Sequence, residues 1–87
     1  MSGARDSVLV EAFSEVVREA RMALKMTQEQ LAHDASVDRT YIGLLENAHR
    51  QPTLSVIFSI ASSLGLTPET LVKRTRDRAA RTRSSRP

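Results

Sequence analysis

Few side chains in this 87-residue chain are of a type and spacing that could do chemistry. Cysteine is absent, which excludes a disulfide framework and a thiolate metal site. His33 and His49 would need further ligands that the sequence does not gather around them, so no metal is expected. No nucleophile stands at helical spacing from a base, no glycine-rich loop could cradle a phosphate, and the carboxylates are not clustered. Catalysis and a bound cofactor are therefore not expected. Hydrogen-bonding chemistry remains, and it is concentrated between Thr27 and Arg50. Arg39, Thr40, Gly43 and Asn47 fall on one outward face, with Tyr41 and Leu44 partly apolar beside them. A guanidinium such as that of Arg39 offers a planar fork of donors that can hold two acceptors at once.

The elements that must position these residues are legible in TQEQLAHDASVDRTYIGLLENA, from Thr27 to Ala48. Thr27 and Gln30 have the spacing of a capping box. They open a helix from Gln28 to Asp34 that turns Leu31 and Ala32 inward. Ala35, Ser36 and Val37 make a turn. Asp38 then caps a second helix, Arg39 to Asn47, with Ile42 and Leu45 facing the core. Two short helices joined by such a turn form a helix-turn-helix unit, whose second helix can enter a DNA major groove.

The rest of the chain reads as support. Met1 to Asp6 is short and polar and is expected to fray. Asp6 or Ser7 caps a first helix to about Lys25, with Phe13, Val17, Ala20 and Leu24 as its buried stripe. Val10 and Val16 flank that stripe, and Glu11, Glu15, Arg18 and Glu19 lie outside. Arg21 stands near the core face and Glu46 is the later acidic residue at a matching place. A bidentate Arg21–Glu46 pair would tie the first helix to the outward-facing one; the alternative is two unrelated surface charges. After the AHRQP loop, Thr53 caps a helix with Leu54, Ile57, Phe58, Ala61 and Leu64 on an apolar face, closed by Gly65. Thr67, Pro68 and Glu69 start a last helix anchored by Leu71 and Val72. Five helices and no strand result, an all-α fold with a domain at 7–72.

Residues 73–87 carry seven basic side chains and one acidic, whereas residues 1–72 carry six basic and nine acidic. The net charge of +3 thus hides a basic end on a mildly acidic body. The end is expected to be a frayed or disordered tail. It could touch flanking phosphates or serve only as a solubilising end. No apolar run is long enough to span a membrane, and no signal peptide is visible, so a cytoplasmic location is the expectation.

Arg21, Met26-Thr27-Gln28, Leu31-Ala32, Val37, Ile42, Leu45-Glu46-Asn47, Pro52, Leu54, Ala61, Leu64-Gly65-Leu66 and Leu71 together carry a resemblance. Over roughly residues 9–72 the chain resembles the lambda-repressor-like, Cro/C1-type (XRE) helix-turn-helix family. It departs where that family favours glycine, at Lys25, Ser36 and Ala48. A left-handed backbone at such a non-glycine residue costs about 1 kcal/mol.

The resemblance implies a five-helix lambda-repressor-like domain and an Arg21–Glu46 salt bridge. It implies Arg39, Thr40 and Leu44 as base readers, Arg39 pairing with guanine O6 and N7. It implies Thr27, Gln28, Tyr41, Asn47, His49 and Arg50 as phosphate contacts that position the protein. It also implies a homodimer on a double-stranded, palindromic operator. Leu66, Pro68, Leu71 and Val72 are the expected dimer face; the alternative is that they close the monomer core. The leading expectation is a transcriptional regulator of bacterial or phage style, with RNA polymerase or a cognate protein as a further partner. The competing class is a protein-interaction module of antitoxin-like kind that keeps the fold with little or no specific DNA binding.

Overall fold

The computed structural model describes residues 5–85; Met1–Ala4, expected to fray, and Arg86 and Pro87 of the tail lie outside the described residues. Five helices follow one another: α1 (Ser7–Ala23), α2 (Gln28–Ala35), α3 (Arg39–Glu46), α4 (Leu54–Ser63) and α5 (Pro68–Ser84). Their starts follow local chemistry. Asp6 accepts from the Leu9 N–H. Thr27 and Gln30 close the capping box in both directions, at 3.0 and 2.8 Å. Thr53 caps α4 and Thr67 caps α5, with Pro68 at its first position. Asp38 precedes α3 with extended backbone but makes no side-chain cap bond, contrary to expectation.

Their ends repeat one device. After α1, α2, α3 and α4, the chain turns through a left-handed residue: Lys25, Ser36, Ala48 and Gly65. In each case the N–H beyond that residue reaches back to a carbonyl of the helix, as in Met26 to Arg21 and His49 to Leu44. This is the Schellman closure, which satisfies otherwise unpaired terminal carbonyls. Three of the four positions are not glycine, and all three adopt the left-handed conformation.

The core joins all five helices. Leu31, Ile42, Leu45, Ile60 and Leu71 are fully buried, with Phe13, Val16 and Val17 of α1 around them. Each such side chain contributes about 1.5–3 kcal/mol on burial. The expected inward stripes need revision in two places. Leu24 stands outside α1, while Val10 and Val16 are buried. On α4, Ile60, Ala61 and Leu64 face the core, whereas Leu54 and Phe58 remain 72% and 55% exposed.

Helix α5 is longer than expected. The helix does not decay after Val72; it continues to Ser84 and lies along α1, the most extensive helix pairing in the fold. Leu71, Thr75 and Ala79 form its buried stripe, and Ala79 packs with Val8 and Ala12 in a second small core. Arg78 donates to Glu15 at 3.0 Å and to Glu19 at 2.6 and 2.9 Å, and Arg83 pairs with Asp6. The stretch expected as a free basic tail is thus, as far as Ser84, part of the packed body. Leu71 is buried within the monomer, so it does not stand on a free face.

Candidate nucleic-acid interface

The outward-facing helix α3 is held from behind by one carboxylate. Glu46, its last residue, is only 2% exposed. Arg21 Nε donates to Glu46 Oε2 at 2.7 Å and Nη2 to Oε1 at 2.9 Å. Gln28 Nε2 donates to Oε1 at 3.1 Å. The remaining Arg21 terminal nitrogen, Nη1, donates to the Met26 carbonyl at 2.7 Å. One guanidinium therefore joins the end of α1, the turn into α2 and the end of α3. The bond to Glu46 raises the Arg21 pKa above its ordinary value. Burying a charge is costly unless it is paired and hydrogen-bonded, and no buried side-chain polar atom among the described residues lacks a partner.

In front of this brace stands the surface that could meet a ligand. Arg39 and Thr40 are exposed on the first turn of α3. Leu44 is half-buried one turn later, and Tyr41 is half-buried against the core. Gly43 faces Gln28: a Cβ there would meet only the Gln28 amide oxygen, at 4.0 Å. The protein itself does not require glycine at this position. Asn47 turns its amide back to the Gly43 carbonyl at 2.8 Å and stays exposed, as do His49 and Arg50. Thr27 is exposed, with its hydroxyl oxygen accepting from Gln30. The start of α2 carries the partial positive charge of a helix N-terminus. The residues expected to touch bases or phosphates thus fall on the α2–α3 unit and the loop that follows it.

The expected dimer residues are less gathered. Leu66 and Pro68 are half-buried, and Val72 is 49% exposed. The largest exposed apolar side chains nearby in sequence are Leu54 and Phe58, which lie one turn apart on α4. Sequence reasoning placed them in the core. The signal was partial: opposite Ser55, Ser59, Ser62 and Ser63 the apolar arc of α4 is wider than one packed side covers, and Leu54 and Phe58 lie at its edge. Arg18 of α1 and Arg5 before it make contacts that sequence reasoning did not assign. Arg18 donates to the Glu46 carbonyl at 3.1 Å and Arg5 to the Ala48 carbonyl at 3.0 Å.

Comparison with known proteins matches this geometry. The helix-turn-helix family model matches residues 17–71, from the middle of α1 to the start of α5. The control protein C.SmaI of Serratia marcescens is 38% identical over 64 residues, covering 74% of this chain and 76% of that protein. The crystal structure of the restriction-modification controller protein C.AhdI from Aeromonas hydrophila aligns with a TM-score of 0.69 at 34% identity, covering 71% of this chain and 94% of that one. The controller protein C.Esp1396I, solved as a tetramer with its natural 35 base-pair operator, aligns with a TM-score of 0.76 at 28% identity, covering 83% and 95%.

Proposed function

Since the chain belongs to the helix-turn-helix family, we propose that it is a dimeric, sequence-specific regulator that reads a palindromic operator through α3. Likeness to the controller proteins supports DNA-binding regulation in general. The observation that carries the finer reading is the pairing of an exposed Arg39–Thr40 edge with a recognition helix locked at Glu46. A rigid helix presents its donors at fixed positions, which is what base discrimination needs.

In this reading Arg39 holds a guanine through O6 and N7. Thr40 and Leu44 meet neighbouring base edges or a thymine methyl. Thr27, Gln28, Tyr41, Asn47, His49 and Arg50 touch phosphates and set the register. Gln28 has two tasks, since the same side chain braces Glu46. Two copies bind half-sites one helical turn apart. Leu54 and Phe58 join Leu66, Pro68 and Val72 in the surface that pairs them; exposed large apolar groups of this kind favour a partner. The protein acts as a repressor or an autoregulating controller.

Selection of binding sites from randomised duplex DNA tests this. The expected product is a motif with two-fold symmetry. Weak binding without any motif, lost as salt rises, would overturn the reading in favour of a protein-interaction module.

A further inference from the structure

Among the described residues, five cations of α1 and α5 are neutralised by carboxylates, and Arg74 and Arg81 of α5 make no side-chain hydrogen bond. Arg21 is paired with Glu46, Arg78 with Glu15 and Glu19, Arg83 with Asp6, and Lys73 and Arg76 with Asp77. Arg5 and Arg18 are different. Among the described residues neither has a carboxylate within ion-pair distance, and both are exposed. Each is nevertheless held in place by one bond to a backbone carbonyl: Arg18 to Glu46 and Arg5 to Ala48. These carbonyls lie at the C-terminal end of α3, where the helix dipole is negative and draws a cation. A guanidinium has five N–H donors. Each of these arginines uses one and keeps the rest.

The two anchoring carbonyls flank Asn47 and stand directly before His49 and Arg50. Fixed, uncompensated guanidiniums with spare donors suit a phosphate, two of whose oxygens can accept two parallel N–H bonds from such a fork. We infer that Arg5 and Arg18 form, with Arg50, a phosphate-binding rim that grips the operator backbone beside the bases read by α3. The inference rests on the DNA-binding reading above and adds α1 to the contact surface. It also gives the strained Ala48 a role: its left-handed turn presents the carbonyl that holds Arg5.

The test compares the wild-type chain with Arg5→Gln, Arg18→Gln and the double variant on the selected duplex, by fluorescence anisotropy over a range of salt. Each lost phosphate contact is expected to flatten the plot of log K against log salt by about 0.9. Affinity at low salt should fall several-fold, with the preferred motif unchanged. Lysine at either position should restore most of the slope, because a point charge also binds phosphate, whereas a role confined to bracing the carbonyl would leave the slope untouched in every variant. Arg5→Gln keeps the test decisive if Arg18→Gln unfolds, since Arg5 is exposed and outside the helices. Unchanged slopes on a duplex that the wild type binds specifically would overturn the rim alone. Failure of the wild type to select any motif would overturn the DNA reading, and the rim with it.

Discussion

Removing the Arg21 guanidinium would leave the Glu46 carboxylate buried with only Gln28 beside it. Breaking a buried ion pair on one side costs roughly 3–5 kcal/mol. Arg21→Met is therefore expected to lower the unfolding free energy by about 3 kcal/mol in a denaturant titration. Gly43 is a test of the opposite kind. Glycine inside a helix costs roughly 0.5–1 kcal/mol relative to alanine, and a Cβ has room here. Gly43→Ala should stabilise the free protein by about that amount in thermal unfolding, yet weaken operator binding if DNA approaches α3 closely. A gain in both would assign Gly43 no part in the interface. Of the left-handed turns only Gly65 was legible by residue type; Lys25, Ser36 and Ala48 violate the preference of Schellman closures for glycine and were marked only by resemblance to a family that carries glycine there. The roles of Arg5 and Arg18 were not, because a carbonyl acceptor leaves no trace in side-chain periodicity.

Helix α5 shows where reading by element stops short. After Val72 its sequence offers only Thr75 and alanines as apolar anchors among charged residues, which looks like a solvated end. The helix persists because Leu71, Thr75 and Ala79 recur every four residues, a stripe narrow enough to lie close on α1. Ion pairs across 59 to 63 residues of sequence then fix it. Such distant partners are invisible to local pattern. The caps Thr27, Thr53 and Thr67, by contrast, depend on residues three positions away and were legible. The ion pairs make the docking sensitive to acid. The Arg78 hydrogen bonds hold Glu19 below its ordinary value of 4.5, and the Leu9 N–H, then Arg83, hold Asp6 below 3.8. Carboxylates depressed in the folded state stabilise it above their unfolded values, and that stability is lost as pH falls through the folded ones. The end of α5 is thus expected to loosen as pH drops below about 4.5 and progressively further down, seen as loss of helical Cα chemical shifts at residues 78–84 before the core unfolds. Retention of those shifts down to global unfolding would contradict it.

At the scale of the whole molecule, the placement of charge and apolar surface decides how it assembles. With α5 packed on α1, residues 5–85 form one body with twelve basic and ten acidic side chains, so the basic end is not a detached tail. Leu54 and Phe58 leave exposed apolar surface on α4, which the proposed dimer would cover. Phe58→Glu should convert a dimer to a monomer in sedimentation equilibrium, with the helical content unchanged, because the side chain is 55% exposed and not part of the core. A variant that remains dimeric would move the interface elsewhere. The base-reading role proposed for α3 is tested most directly by a double-mutant cycle between Arg39→Ala and substitution of each guanine in the selected operator. One guanine per half-site is expected to couple to Arg39 by about 1–3 kcal/mol, so that replacing it costs the wild type binding and costs the variant nothing. If Arg39→Ala instead weakens binding to every sequence equally, Arg39 touches only the backbone and α3 does not read the operator through its first turn.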